Sequence, residues 1–232
     1  MKFKVINIKN NFDISSPLTD NIIKEIRKNQ LNKQIKNKDN NIKFIHITKT
    51  AGTTIENLGN ENNFKWGRFD INYLKTYRRT KFAKRSVWHV PLKYFEKNPY
   101  ENNLLFTIVR NPYTRCISEY YCPWSGNKNK NADVIEFNQW IRDKLTNNDI
   151  VSFLPYHEYF DFNNKIIINY VLYFENIQNE FNNLFTDIKL DRHDNKGTSS
   201  KRYDIDSLDN KTISMINNKY RKDFEIFGYD MI

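Results

Sequence analysis

Glycine and proline are scarce in this chain of 232 residues, with six of each, and its only cysteines are Cys116 and Cys122. With 39% hydrophobic and 15% aromatic residues, so few chain-breakers exclude a low-complexity or disordered chain and argue for a folded core. On a helix the two cysteines would stand about 9 Å apart along the axis, too far for a disulfide. Without paired histidines at ligand spacing they make no zinc site either, so both read as packing thiols. No run of about 18 apolar residues occurs, which excludes a transmembrane helix. The first ten residues scatter charges among their apolar positions and lack a signal-peptide core. The expectation is a soluble, cytoplasmic chain without membrane insertion.

What is abundant is asparagine, lysine and isoleucine, the bias of an AT-rich genome. Net charge is +10. It has two readings, a solubility effect of that bias or a polyanionic ligand. At this length a single domain is the default. Residues 1–41 read as an N-terminal extension: a marginal edge strand within 1–12, a helix from Leu18 to Leu31 behind Ser15, Ser16 and Pro17, then a polar linker. Residues 42–232 read as the main domain.

The organising stretch is residues 42–56, Ile-Lys-Phe-Ile-His-Ile-Thr-Lys-Thr-Ala-Gly-Thr-Thr-Ile-Glu. It reads as a short strand, a small-residue turn bearing Lys49, and the first turn of a helix that Gly59 and Asn60 would end. Such a turn aims unpaired N–H groups of a helix N-terminus at one place and suits an anionic oxygen cluster. Residues 104–109, Leu-Leu-Phe-Thr-Ile-Val, form the strongest strand, apolar throughout as in a strand buried on both faces. Arg110 follows, then Pro112 at the first turn of a helix, with Ser118 about two turns in.

Between them, residues 60–85 are polar, aromatic and basic, either a solvated helix face or a wall that meets an anionic acceptor. Residues 86–91 read as a short strand closed by Pro91, with His89 near its end. Further helices are expected over 134–145, 175–190 and 207–220, and one buried strand over 165–174. Strands alternating with helices give an α/β three-layer fold with a mainly parallel sheet, whose ligands bind at the strands' carboxyl ends.

The first loop is not a Walker A sequence, because its lysine precedes the glycine. No strand ends in an acidic residue placed to hold magnesium, which disfavours a kinase or NTPase. The stretch His-Ile-Thr-Lys-Thr-Ala-Gly-Thr-Thr at 46–54 resembles the 5′-phosphosulfate loop of sulfotransferases that use 3′-phosphoadenylyl sulfate (PAPS). Arg-Asn-Pro-Tyr-Thr-Arg-Cys-Ile-Ser-Glu-Tyr at 110–120 is similar to that family's 3′-phosphate motif at every defined position. Residues 171–177 are similar to the family's following strand and helix start, and residues 191–203 and 223–229 resemble the closing segment of its carbohydrate (Golgi-type) branch.

The resemblance, over roughly 42–229, implies a P-loop-like fold, PAPS as donor, 3′,5′-ADP (PAP) as product and no metal. Lys49 would neutralise the bridging oxygen of the leaving group. Thr50, Ala51, Gly52, Thr53 and Thr54 would hold the 5′-phosphate with Lys49, through backbone N–H groups and hydroxyls. Arg110 and Ser118 would bind the 3′-phosphate, and Lys201 and Arg202 would close over the nucleotide. His89 is the expected general base, ahead of Glu56, Glu96 and Glu101, while His46 reads as a buried strand residue. The acceptor is a hydroxyl, on a glycan and open to anionic sugars. Golgi members carry an anchor and stem that this sequence lacks, so a soluble bacterial or viral enzyme is expected, with a truncated lumenal domain as the alternative. Two other classes stay open: a P-loop-like nucleotide or phosphoryl transferase, and a non-catalytic polyanion-binding module. No nucleic-acid-reading motif supports the last.

Overall fold

The structure is a computed structural model, and it describes residues 6–7, 12–13, 41–70, 74–75, 77, 87–129, 131–148, 150–191 and 202–232. In chain order the elements are β1 (Ile6–Asn7), β2 (Phe12–Asp13), β3 (Ile42–Ile45), α1 (Gly52–Glu61), β4 (Leu104–Val109), α2 (Pro112–Tyr120) and α3 (Val134–Thr146). There follow α4 (Tyr156–Phe160), β5 (Asp161–Phe162), β6 (Lys165–Ile166), β7 (Tyr170–Tyr173), α5 (Ile177–Leu184) and α6 (Asn210–Phe227), with short 3₁₀ turns between.

β4 is buried at every position after Leu104. A strand buried on both faces needs neighbours on both edges. β3 and β7 flank it, both parallel, and β1 closes the far edge antiparallel in the order β1-β7-β4-β3. The register sets Phe44 opposite Phe106 and Ile108 opposite Leu172. Because side chains alternate, these face one side of the sheet, where they pack with Ile55 and Leu58 of α1, Phe181 and Leu184 of α5, and Trp66. Leu105, Val109 and Val171 face the other side, onto Tyr156, Tyr159 and Phe160 of α4 and the end of α6. A third cluster joins α2, α3 and α6. The expected three-layer α/β architecture with a central parallel sheet is present.

Caps account for where three of the helices start. Asn111 Oδ1 accepts from the N–H groups of Tyr113 and Thr114, with Pro112 at the first helical position. Asp133 and Glu136 form a capping box for α3, and Asp209 accepts from Thr212 N–H at 2.7 Å to start α6.

Several elements differ from the sequence expectation. α1 does not stop at Gly59. The ring of Trp66 lies against the helix there, and a Cβ on residue 59 would sit 2.6 Å from Trp66 Cε3. The stop comes from Asn63 at φ 63°, with Phe64 N–H donating to Gly59 O at 2.8 Å and Asn63 N–H to Asn60 O at 3.1 Å, a Schellman closure. Residues 87–89 form a 3₁₀ turn and not a strand. Val87 and Val90, three apart, both reach the core, and Pro91 has no N–H for a ladder.

The expected strand over 165–174 is two. Asn163 and Asn164, at φ 53° and 62°, make the two-residue turn of a hairpin, so Lys165–Ile166 joins a small antiparallel sheet β2-β6-β5 before Tyr170–Tyr173 enters the main one. α5 ends at Leu184, after which Asn182 pins Leu190 through both its N–H and its carbonyl. α6 kinks at Tyr220 (φ −107°, ψ 17°), where the sequence expectation ended it, and a further stretch runs on to Phe227, where Gly228 at φ 67° ends it. Of the expected N-terminal extension, residues 6–7 and 12–13 each pair into a sheet, and the expected helix over 18–31 lies outside the described residues. Both cysteines are free, Cys116 buried and Cys122 half-buried.

Candidate active site

β3 and β4 are adjacent and parallel, so the segments leaving them meet at one edge of the sheet. The Thr107 hydroxyl donates to Ile45 O at 2.8 Å and locks that edge. Beyond β3 the chain turns with φ 64° at Lys49 and φ 66° at Ala51, with Thr50 between them not in that region. Alternation of this kind turns successive N–H groups to one side. The Thr50 hydroxyl donates to Ile47 O at 2.9 Å and is buried, and Thr54 is buried too, so in this loop the backbone N–H groups and the half-buried Thr53 face outward.

The N-terminus of α1 carries no capping side chain and no acidic residue in its first turn. Its orphan N–H groups and partial positive charge are therefore left for a ligand. Residue 52 must be glycine: a Cβ would sit 2.1 Å from the His46 ring tucked beneath the loop. Among the described residues no hydrogen bond or ion pair holds the Lys49 ammonium.

Arg110 leaves β4 and reaches back to this loop. Its Nε donates to Thr114 Oγ1 at 2.9 Å and one terminal nitrogen to Lys49 O at 3.3 Å, while the guanidinium lies 4.1 Å from the Phe174 ring centroid. Tyr156 hydroxyl donates to Arg110 O at 2.6 Å. Glu175 accepts Asn111 N–H at 2.8 Å and the Tyr229 hydroxyl at 2.9 Å, so the chain's closing segment braces the same corner. Of the nine residues of α2 only Thr114 and Ser118 are not buried. One turn apart, they open a hydroxyl-bearing strip in line with Arg110.

Arg202 is exposed, donates to Ala132 O at 3.4 Å and lies beside Tyr203, whose N–H donates to Tyr121 just past α2. Here Tyr121 contributes its hydroxyl oxygen as the acceptor. Lys201 lies outside the described residues. The structure thus brings Lys49, the 50–54 loop and Arg110 to one edge, with Ser118 along α2 and Arg202 beyond its end. Thr114 and Phe174 complete the arrangement. Sequence reading missed both, although Thr114 stands at i+4 from Arg110 and Phe174 at the carboxyl end of the next parallel strand.

His89 also reaches this edge, its Nδ1 3.1 Å from His46 O. Behind it lie His46, buried as expected, and Glu56, which points into the core. Burial, and then the Arg68 charge, push His46 down to about 3; burial and then His46 do the same to His89. Burial raises Glu56 to about 7. Glu101 precedes β4 and so sits at the opposite end of that strand, whose length is roughly 17 Å at about 3.3 Å per residue. Glu96 is exposed. Of the basic 60–85 stretch, Asp70 pairs with Lys43 of β3 at 2.5 Å and Arg68 lies over Phe69 and Trp88, while residues 71–73, 76 and 78–86 lie outside the described residues.

These groups make stability depend on pH in a defined sense. Glu56 and Glu180, the latter raised to about 8 by burial, keep protons in the folded state that the unfolded chain has already released. Stability therefore falls as pH rises from 6.5 to 8. His46 and His89 stay neutral where the unfolded chain takes protons, so stability also falls at the acid end, as pH drops towards 3. Urea unfolding is expected to give about 2 kcal/mol less at pH 8 than at pH 6.5. A double Glu56→Gln, Glu180→Gln variant that kept this slope would contradict the assignment.

A cradle of backbone N–H groups and a stacked guanidinium, fixed to one another at the carboxyl edge of a parallel sheet, put this chain among the α/β group-transfer enzymes. The model of the sulfotransferase family matches residues 32–230, and the chain belongs to that family. Its chemistry is sulfuryl transfer to a hydroxyl acceptor. Searches of curated proteins and of solved structures gave no match. Among the described residues no helix is long and apolar enough to cross a membrane.

Proposed function

We propose that the protein transfers a sulfuryl group from PAPS to a hydroxyl of a carbohydrate acceptor. The observation that carries this is the bond from Arg110 to the carbonyl of Lys49. It holds two anion-binding elements at a fixed separation, as a ligand phosphorylated at two places requires. In this reading the N–H groups of the 50–54 loop and the Thr53 hydroxyl receive the 5′-phosphate. Arg110 and Ser118 hold the 3′-phosphate by charge-assisted and hydroxyl hydrogen bonds, and Lys201 and Arg202 cover the nucleotide.

Lys49 stabilises the charge that grows on the bridging oxygen as the S–O bond breaks and leaves its electron pair on the 5′-phosphate. The acceptor oxygen attacks sulfur in line. His89 takes its proton at Nε2, because Nδ1 faces a carbonyl that can only accept and so carries the hydrogen. A glycan acceptor is supported by the likeness of the closing segments to the carbohydrate branch.

Thermal shift tests the donor. At a hundredfold excess over Kd a ligand stabilises by about 2.7 kcal/mol, which for a chain of this size raises Tm by roughly 5–10 °C. That shift is expected with 3′,5′-ADP and not with ADP. A shift with ATP and magnesium but none with 3′,5′-ADP would overturn the reading in favour of a phosphoryl transferase.

A further inference from the structure

Three titratable side chains from three elements meet behind the Lys49 loop. His46 directly follows β3, Glu56 lies in the second turn of α1, and His89 ends the 87–89 turn. The two rings pack edge to face with centroids 4.5 Å apart, and His46 Nδ1 lies 3.5 Å from Glu56 Oε1. Arg68 N–H donates to that same oxygen at 2.7 Å. A Cβ at residue 67 would sit 2.7 Å from it, so glycine lets the backbone close over the carboxyl.

Packing alone does not explain this cluster. Glu56 Oε2 and His46 Nδ1 are buried without a hydrogen-bond partner. An apolar side chain would avoid the desolvation cost, and unsatisfied buried polar atoms of this kind call for a functional reason.

We propose that Glu56 is a positioning residue: acting through His46, it orients His89 and supplies the countercharge that His89 needs when it accepts the acceptor's proton. This rests on the reading of His89 as the base. Glu56 buttresses His46, and the His46 carbonyl and ring together fix the plane and tautomer of His89. When Nε2 takes the hydroxyl proton, the ring becomes a cation in a desolvated place. Burial, His46 and Arg68 all oppose that charge; the bond to the His46 carbonyl and the Glu56 carboxylate favour it.

Among the described residues the groups facing Glu56 are His46 just after β3, His89 from the 87–89 turn, and Arg68, through its backbone and its charge. Lys43 and Asp70 nearby are paired to each other. Glu56 exchanges no proton with substrate; it acts only while ionised. With its carboxyl pushed up to about 7, it is half charged near neutrality.

The chain has only four histidines, at 46, 89, 157 and 193, so its imidazole nitrogens can be followed by NMR in the intact protein with 3′,5′-ADP added. The expected result is His89 in the Nδ1–H tautomer. The ring signals of His46 and His89 should shift with a single midpoint shared with the Glu56 carboxyl carbon, and Glu56→Gln should remove that midpoint from both rings. Release of 3′,5′-ADP from PAPS, with water as acceptor, should fall at least about tenfold in Glu56→Gln, part of the ~10²–10⁴-fold a general base supplies, with 3′,5′-ADP affinity kept.

An Nε2–H tautomer at His89, ring signals that ignore Glu56, a midpoint that survives Glu56→Gln, or an unchanged release rate would each overturn the proposal. If the variant does not fold, the wild-type carboxyl and ring signals decide alone. A shared midpoint without 3′,5′-ADP binding would fault the donor reading and leave the coupling standing. Binding without a shared midpoint would do the reverse.

Discussion

Replacing Lys49 by alanine is expected to lower sulfuryl transfer by roughly 10²–10³-fold, the usual effect of removing one preorganised donor to a developing charge, while leaving 3′,5′-ADP binding nearly intact. The separation follows from which atoms of Lys49 do what. Its backbone, at φ 64°, shapes the loop, and its carbonyl receives Arg110. Both survive truncation of the side chain. The ammonium, which nothing holds among the described residues, is the part lost, and its target oxygen bridges sulfur and phosphorus only in the donor. The product 3′,5′-ADP lacks the sulfuryl group and makes little use of it. Transfer rates and calorimetric binding measured on the same preparation decide the matter. Equal losses in both would make Lys49 a ground-state binding group, and no loss in either would displace the site.

Arg110→Ala is expected to act on binding. A charged partner removed from a buried ligand contact costs about 2–5 kcal/mol, or roughly 30- to 5000-fold in affinity for 3′,5′-ADP. The guanidinium is presented by three groups at once, Thr114 Oγ1, Lys49 O and the Phe174 ring. Burial already opposes its charge, so an incoming phosphate meets a cation with little water to displace. 5′-AMP, which lacks the 3′-phosphate, should bind the variant almost as it binds the parent protein. Arg110→Lys should recover only part of the loss, because an ammonium cannot present the planar fork. If 5′-AMP weakened as much as 3′,5′-ADP, Arg110 would be supporting the loop rather than contacting a phosphate.

The parts legible in sequence were those set by local chemistry. Five apolar residues and one threonine at 104–109 mark a strand buried on both sides, and Asn111 with Pro112 starts a helix whatever surrounds it. The small residues after β3 mark an uncapped helix start in the same way. What escaped depended on neighbours. Val87 to Val90 has strand propensity, but a 3₁₀ turn buries both valines. The run 165–174 is apolar apart from Lys165 and Asn169, and the hairpin at Asn163 and Asn164 assigns its first residues to a second sheet. Gly59 looked like a helix stop, yet it is where Trp66 crosses the helix.

For the loop at 46–54 the division is sharp. Sequence by itself determined its composition, its lysine and its place between a strand and a helix, because those follow from residue type and from the order of the chain. Only the tertiary structure decided what stands around it. Parallel pairing of β3 with β4 brings Arg110, 61 positions from Lys49, to the Lys49 carbonyl. The 87–89 turn brings His89 over His46, and the twist of α1 carries Glu56 inward beneath both. A helix turns by 100° per residue, so the direction of Glu56 depends on which face of α1 the sheet buries. That is a property of packing, and it is why the residue that sequence reading ranked behind His89 lies buried against His46.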